Sequence, residues 1–171
     1  MTTPKKRSRA PYEPSQPFKD AFAALEQAEQ AEADARQEAR RVVADELRSS
    51  QQSNARVAEH TPWTEETVRT IANEFGIPPK SPGGSPPPYD PSPAVLKTLA
   101  DAFEALRQAE ARTKEAWTAA RATVAEELRT SQVSRAKIVP HTPWTEGTIT
   151  NIAKEYDVPG LRAPTVRSIK D

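Results

Sequence analysis

The chain contains no cysteine among its 171 residues. This absence excludes disulfide bridges, thiolate metal ligands and a cysteine nucleophile, and it fits a reducing compartment. Only two histidines are present, without the spacing of a zinc site, and the five glycines form no glycine-rich phosphate loop. The sequence also offers no set of nucleophile, base and orienting residue. We therefore expect no metal site, no cofactor and no enzymatic activity.

Long apolar segments are absent as well, since no run approaches the roughly 20 residues that a membrane-spanning helix needs. The N-terminal stretch from Met1 to Arg9 is basic but has no apolar segment behind it, so we do not expect a signal peptide. Hydrophobic residues make up 36% of the chain and charged residues 28%. Such a polar composition allows two small helical cores rather than one large core.

The net charge of the chain is zero, whereas a typical DNA-binding domain carries a basic excess. Basic side chains gather at the two ends: residues 1–17 carry a net charge of +3 and residues 161–171 carry +2. Such tails either hold phosphate groups without sequence preference or are solvated, flexible ends. The sequence leaves both interpretations open.

The sequence repeats itself at an offset of 81 residues. Three pairs of segments match at this offset, namely 20–25 with 101–106, 43–50 with 124–131, and 60–65 with 141–146. The lead-in Pro-Tyr-Glu-Pro-Ser of residues 11–15 returns as Pro-Tyr-Asp-Pro-Ser at 88–92. A tandem duplication explains these matches. It predicts a basic tail at 1–16, a first repeat at 17–77, a proline-rich linker at 78–93, a second repeat at 94–159 and a second basic tail at 160–171.

Each repeat opens with a long segment rich in alanine, glutamate, glutamine and arginine, which are strong helix formers. Apolar residues recur there at helical spacing, so we predict helices at 18–50 and 94–131, each about 50 Å long. Helices of this length usually pair as coiled coils, and the two long helices are natural partners for each other. Trp117 stands at the position that Arg36 holds in the first copy, so the two copies have diverged.

Each long helix is followed by a helix-turn-helix pattern, at 53–76 and 134–157. The first short helix is expected to run to His60 in the first copy and to end near Val139, before a proline, in the second. The expected helix caps are Ser53, Thr64, Ser134 and Thr145. The predicted fold is therefore all-α: two repeats of a long helix plus a helix-turn-helix, with the long helices paired as a coiled coil.

Residues 57–71 resemble the helix-turn-helix motif of bacterial DNA-binding proteins. That family has an apolar residue and an alanine on the first helix, an apolar residue after the turn, then a polar cap and a valine or isoleucine on the second helix. The matching residues are Val57, Ala58, Trp63, Thr64, Val68 and Ile71 in the first copy and Ile138, Val139, Trp144, Thr145, Ile149 and Ile152 in the second. The whole module is also similar to small nucleoid-associated DNA-binding proteins of streptomycetes. These resemblances imply double-stranded DNA as the partner, read in the major groove.

In such a motif the second helix lies in the major groove, and its outer face meets the base edges. The outer-face candidates are Glu65, Glu66, Arg69, Thr70 and Asn73 in the first copy and Glu146, Thr150, Asn151 and Lys154 in the second. An arginine suits guanine, an asparagine suits adenine, and a glutamate suits the amino group of cytosine, although a glutamate at a helix start also offsets the helix dipole. The first helices add candidates that either contact phosphate or are simply exposed polar groups: Asn54, Arg56, Arg135 and Lys137.

Trp63 and Trp144 occupy the apolar position after each turn, so we expect them to pack in the core rather than to stack on bases. His60 and His141 are expected near helix-end carbonyls or exposed to solvent. Neither residue type is therefore counted among the DNA contacts.

The expected function is that of a DNA-binding protein, a transcription regulator or a nucleoid-associated protein, in which one chain acts as a dimer on a two-part site. Its expected location is the cytoplasm, on the nucleoid. An alternative is a coiled-coil adaptor whose helix-turn-helix modules bind another protein, which the zero net charge and the glutamates of the second helices favour. A protein partner or further self-association stays open under either hypothesis.

Overall fold

The structure is a computed structural model, which describes residues 11–78 and 89–160. Every long regular element in these two ranges is helical and no strand occurs in them, so the predicted all-α class is confirmed. The elements are α1 (Gln16–Ser50), α2 (Asn54–Ala58), α3 (Glu65–Glu74), α4 (Pro93–Ser131), α5 (Arg135–Ile138), a 3-10 helix (Val139–His141) and α6 (Glu146–Glu155). Most of both basic tails, and residues 79–88 of the predicted linker, lie outside the described residues.

The two long helices begin and end close to the predicted residues. α1 comprises 35 residues and α4 comprises 39, so each is about 50–60 Å long. Each is followed by a glutamine with a positive φ, 55° at Gln51 and 49° at Gln132. A left-handed residue just after a helix breaks the helical hydrogen-bond pattern, and glycine is the residue that usually does so. Both copies therefore stop the long helix with the same non-glycine residue at equivalent positions.

The first short helix differs between the copies. α2 ends at Ala58, so the expected end at His60 was wrong. The amides of His60 and Thr61 donate to carbonyls only three residues back, which tightens the chain into a turn before the α-helix can continue. In the second copy, α5 ends at Ile138 and a 3-10 helix follows, close to the predicted end at Val139. The proline at 140 has no amide hydrogen to extend the α-helix.

The serines at the starts of these short helices also differ. Ser53 caps α2, because its side chain accepts a hydrogen bond from the Arg56 amide at 3.4 Å. Ser134 occupies the same position before α5, with a similar extended backbone, but its side chain makes no capping hydrogen bond. The expected cap at Ser134 was therefore wrong in its side-chain contact, although the helix begins where it was predicted.

Helices α3 and α6 are alike in their caps, buried faces and ends. As expected, Thr64 and Thr145 each accept a hydrogen bond from the amide three residues on, at 3.3 Å. Each helix buries three apolar residues, which are Val68, Ile71 and Ala72 on α3 and Ile149, Ile152 and Ala153 on α6. Each is ended by a residue with positive φ, 65° at Gly76 and 51° at Asp157. The opposite face of each helix is left to solvent.

The described residues form two compact units, which do not coincide with the two sequence repeats. The terminal unit contains residues 11–25 and 116–160, so it joins the start of α1 to the end of α4 and the second helix-turn-helix. The central unit contains residues 26–78 and 89–115, so it joins the rest of α1 and the first helix-turn-helix to the start of α4. We call residues 54–74 the first motif and residues 135–155 the second motif.

Each unit has its own hydrophobic core, and each core contains residues of both repeats. The central core consists of Val43, Ala44, Leu47, Val57, Val68, Ile71, Ala72 and Leu99. The terminal core consists of Phe18, Leu25, Ala120, Val124, Ala125, Leu128, Ile138, Trp144, Ile149, Ile152 and Ala153. Phe18 and Leu99 are equivalent at the offset of 81, and each is buried in the core beneath the other repeat's motif. Each motif is therefore stabilised by the long helix of the other repeat.

Within the central unit, the parts of α1 and α4 run in opposite directions. Near one end, the Thr113 hydroxyl donates to the Ala28 carbonyl at 3.1 Å. Near the other end, Leu99 lies in one cluster with Val43 and Leu47. Residue numbers thus rise along α1 as they fall along α4, which means that these two helical segments are antiparallel.

Candidate nucleic-acid interface

In each unit, two arginines of a long helix contact the C-terminal end of the last helix of the motif, which is α3 in the central unit and α6 in the terminal unit. In the central unit, Arg40 forms an ion pair with Glu74, and Arg48 donates to the Phe75 carbonyl at 2.9 Å. The terminal unit repeats both contacts at an offset of 81, with Arg121 on Glu155 and Arg129 on the Tyr156 carbonyl. The C-terminal carbonyls are the negative end of the helix dipole, so a guanidinium there is favourable. We call each pair of arginines the arginine brace.

The tryptophans after the turns pack against aromatic rings of the long helices; Trp144 is buried in its core as predicted, and Trp63 is partly buried against its core. The Trp63 ring meets Phe103 edge-on with 4.7 Å between centroids. The Trp144 ring meets Phe22 edge-on at 5.2 Å and stacks on Trp117 at 5.4 Å. Phe22 and Phe103 are equivalent positions, and each contacts the tryptophan of the other repeat. These contacts pack the residue after each turn against the long helix of the other repeat.

The lead-in segments hold a pair of tyrosine–carboxylate contacts that the sequence did not predict. The Tyr12 hydroxyl donates to Glu127 Oε1 at 2.7 Å, and the Tyr89 hydroxyl donates to Glu46 Oε1 at 2.8 Å. Both glutamates are buried, and each lies in the last turns of the other repeat's long helix. Burial and the neighbouring carboxylate raise the pKa of both tyrosines above the usual value. The only signal in the sequence was the repeated Pro-Tyr-acid-Pro-Ser lead-in.

The two histidines lie beside these tyrosines. The His141 ring meets Tyr12 edge-on at 5.5 Å, and the His60 ring meets Tyr89 edge-on at 5.1 Å. Both histidines are exposed to solvent, which was one of the two alternatives expected from the sequence. These ring contacts join the turn of each motif to the Pro-Tyr-acid-Pro-Ser segment that precedes the other repeat.

The outer face of the first motif holds its cations in internal ion pairs. Arg69 Nη2 lies 2.5 Å from Glu66 Oε2, and Arg56 Nη1 lies 3.7 Å from Glu59 Oε2. The hydrogen bond from Arg69 to Glu66 also raises the arginine pKa. The remaining candidates of this motif are the exposed Glu65 and Asn73, the half-buried Asn54, and Thr70, whose hydroxyl donates to the Glu66 carbonyl at 3.0 Å.

The outer face of the second motif leaves its cations without carboxylate partners. Arg135 Nη1 donates to Thr150 Oγ1 at 3.4 Å, so the structure brings together two predicted site residues from α5 and α6. Lys137 and Lys154 are exposed, as are Glu146 and Asn151. Across residues 11–78 and 89–160, none of the three cations of this motif forms an ion pair.

The formal charge therefore differs between the motifs. The first motif contains two arginines and four glutamates, which gives a net charge of −2. The second contains one arginine, two lysines and two glutamates, which gives +1. The glutamates at the starts of the second helices, Glu65, Glu66 and Glu146, lie in the first turns of α3 and α6, where they offset the positive end of the helix dipole.

Residues 11–78 and 89–160 contain no group of three or more acidic or histidine side chains arranged to hold a metal ion. In the same ranges, no helix has the length and apolar character needed to cross a membrane.

Comparison of the chain with protein-family models, with curated proteins and with solved structures found no match.

Proposed function

We propose that the protein binds double-stranded DNA, with α3 and α6 as recognition helices that enter the major groove. The observation that carries this proposal is the exposed outer face on each helix, opposite a fully buried apolar face. On α6 the exposed face offers Asn151 to adenine and Glu146 to cytosine. On α3 it offers Arg69 to guanine and Asn73 to adenine.

The arginine braces support the same proposal. A recognition helix must hold its side chains within narrow limits to read base edges, so it needs a rigid support. The braces act at the C-terminal ends of α3 and α6, whereas the N-terminal halves meet the bases in such motifs.

The proposal includes the tandem organisation predicted from the sequence. Two modules, each a long helix plus a helix-turn-helix, act as a dimer within one chain, and the long helices pair as a coiled coil. Supporting this, caps, braces and tyrosine contacts recur at equivalent positions, and the central unit contains antiparallel long-helix segments. Since α3 and α6 carry different side chains, we propose that the DNA site has two unlike halves. The protein acts on the nucleoid as a regulator or an architectural factor, with no catalytic step.

Titration with labelled DNA duplexes tests the proposal. At roughly 50 mM salt we expect binding to duplexes of random sequence, with an affinity that falls steeply as salt is added. The double variant Arg69→Glu/Lys154→Glu should lose this binding. A matched control is Lys97→Glu, which reverses an exposed charge on α4 outside both motifs and should bind like the parent protein. Absence of binding by the parent protein at low salt refutes the proposal.

A second candidate function is that of an adaptor whose first motif binds a basic protein surface. The net charge of −2 on that motif and the pairing of both its arginines favour it. The same double variant separates the two functions, because an adaptor that uses the glutamates of α3 would keep its protein partner when Arg69 and Lys154 are reversed.

A further inference from the structure

We infer that the second motif is the phosphate anchor of the DNA complex, and that the first motif adds little electrostatic affinity because its own glutamates neutralise its arginines. This inference rests on the proposed function, since it assigns the backbone phosphates of the same DNA to one of the two motifs.

The two motifs differ in charge at two pairs of equivalent positions. Arg135 and Lys154 in the second motif stand where the first motif has Asn54 and Asn73. At both positions, the duplication has therefore left a cation in the second motif and a neutral side chain in the first. Cations attract phosphates over a long range and without sequence preference. At these two positions, the second motif therefore attracts phosphate more strongly than the first.

At a third pair of equivalent positions, both motifs have a cation, but the surroundings of the two cations differ. Lys137 corresponds to Arg56 at the offset of 81, and both are exposed on the first helix of their motif. Arg56 lies 3.7 Å from the Glu59 carboxylate, whereas position 140, which corresponds to Glu59, is a proline. A phosphate that approaches Arg56 also approaches the Glu59 carboxylate, which repels it, and Lys137 has no such neighbour.

The fourth comparison concerns the start of the recognition helices. Glu66 holds Arg69 at 2.5 Å, and the residue equivalent to Glu66 is Gly147. The second motif therefore lacks this carboxylate, and it has Thr150 where the first motif has Arg69. On the second motif, Arg135 reaches Thr150 at 3.4 Å across the junction of α5 and α6, which places its guanidinium beside the face that meets the groove. Phosphate contacts from this junction set the register of such motifs on DNA.

Salt dependence measures this division directly. Each phosphate that a protein neutralises adds about 0.9 to the absolute value of the negative slope of log K against log salt concentration, and this absolute value is the slope compared below. The loss of one contact therefore changes the ratio of affinities at roughly 50 and 200 mM salt by about 3-fold.

The experiment compares Lys137→Ala with Arg56→Ala by fluorescence anisotropy on one duplex. We expect Lys137→Ala to lose about 0.9 from the slope, and Arg56→Ala to leave the slope unchanged within about 0.2. Both residues are exposed, so thermal unfolding should confirm that each variant keeps the parent fold. Equal losses in the two variants, or a larger loss in Arg56→Ala, overturn the inference while leaving DNA binding intact. No binding by the parent protein defeats the proposed function instead.

A gain-of-binding variant tests the role of the glutamate. Glu66→Gln removes the negative charge that holds Arg69, so the slope should increase by about 0.9 and binding at low salt should tighten. The companion variant Glu59→Gln removes the carboxylate beside Arg56, so it should change the slope in the same direction. If Glu66→Gln leaves the slope as it is, the ion pair is not what keeps the first motif from phosphate, and the inference is wrong.

Discussion

Replacement of Phe18 by alanine tests how the terminal unit is built. The ring is 1% exposed and belongs to the first repeat, yet it lies in one core with Ile138 and Ile149 of the second motif. Removing a phenylalanine side chain from a closed core costs about 3–5 kcal/mol in the free energy of unfolding. The equivalent residue, Leu99, is 2% exposed in the central core, and Leu99→Ala should cost about 2–5 kcal/mol.

Hydrogen exchange followed by mass spectrometry reports the two motifs separately, because peptides from α3 and α6 are distinct in sequence. Buried amides exchange only when their part of the structure opens, so the exchange rate reports the local free energy of opening. In Phe18→Ala we expect the amides of α6 to exchange about 100-fold to 4,000-fold faster, since each 1.4 kcal/mol is a tenfold change in an equilibrium constant. The amides of α3 should change far less.

Leu99→Ala supplies the reciprocal control, with fast exchange in α3 and little change in α6. If Phe18→Ala instead accelerated exchange in α3 and left α6 protected, each repeat would be supporting its own motif. That result would refute the composition of both units.

Two further predictions concern contacts outside the cores. Tyr12→Phe removes one hydrogen bond to the buried Glu127 and should lower the free energy of unfolding in urea by about 1–3 kcal/mol; an unchanged value would show that this contact does not stabilise the fold. Because the pKa of Tyr12 is raised on folding, its contribution is full below the unfolded value of about 10 and is lost as the pH rises beyond it, so the parent should lose more stability than Tyr12→Phe between about pH 9 and 11. Ser53→Ala should cost about 1 kcal/mol and Ser134→Ala less, since only Ser53 makes a capping bond; equal losses in urea titrations would contradict this.

Local features of the fold were predictable because nearby residues determine them. The long helices follow from helix formers and apolar residues at helical spacing. The caps Thr64 and Thr145 follow from a hydroxyl placed just before an apolar pattern. The ion pair between Arg69 and Glu66 is also local, because residues three apart on one helix are neighbours.

The composition of the two units could not be predicted from the same signals. Tyr12 and Glu127 are 115 residues apart, and nothing in either segment states which glutamate the tyrosine meets. The sequence matches at an offset of 81 make this harder, because each lead-in fits either long helix equally well by pattern alone. The missing side-chain cap at Ser134 could not be predicted for a different reason. The residue type shows that serine can form a capping hydrogen bond, but it does not show whether the bond forms.

Selection of bound duplexes from a random DNA pool, using the full chain, tests the central claim most directly. We expect enriched sequences with two unlike half-sites, whose centres are about one helical turn or a multiple of it apart, as in dimeric helix-turn-helix proteins. One half-site should depend on residues of α6, such as Asn151, and the other on residues of α3, such as Arg69. A pool that returns no enriched sequence and shows no retention at low salt would contradict DNA binding by this protein.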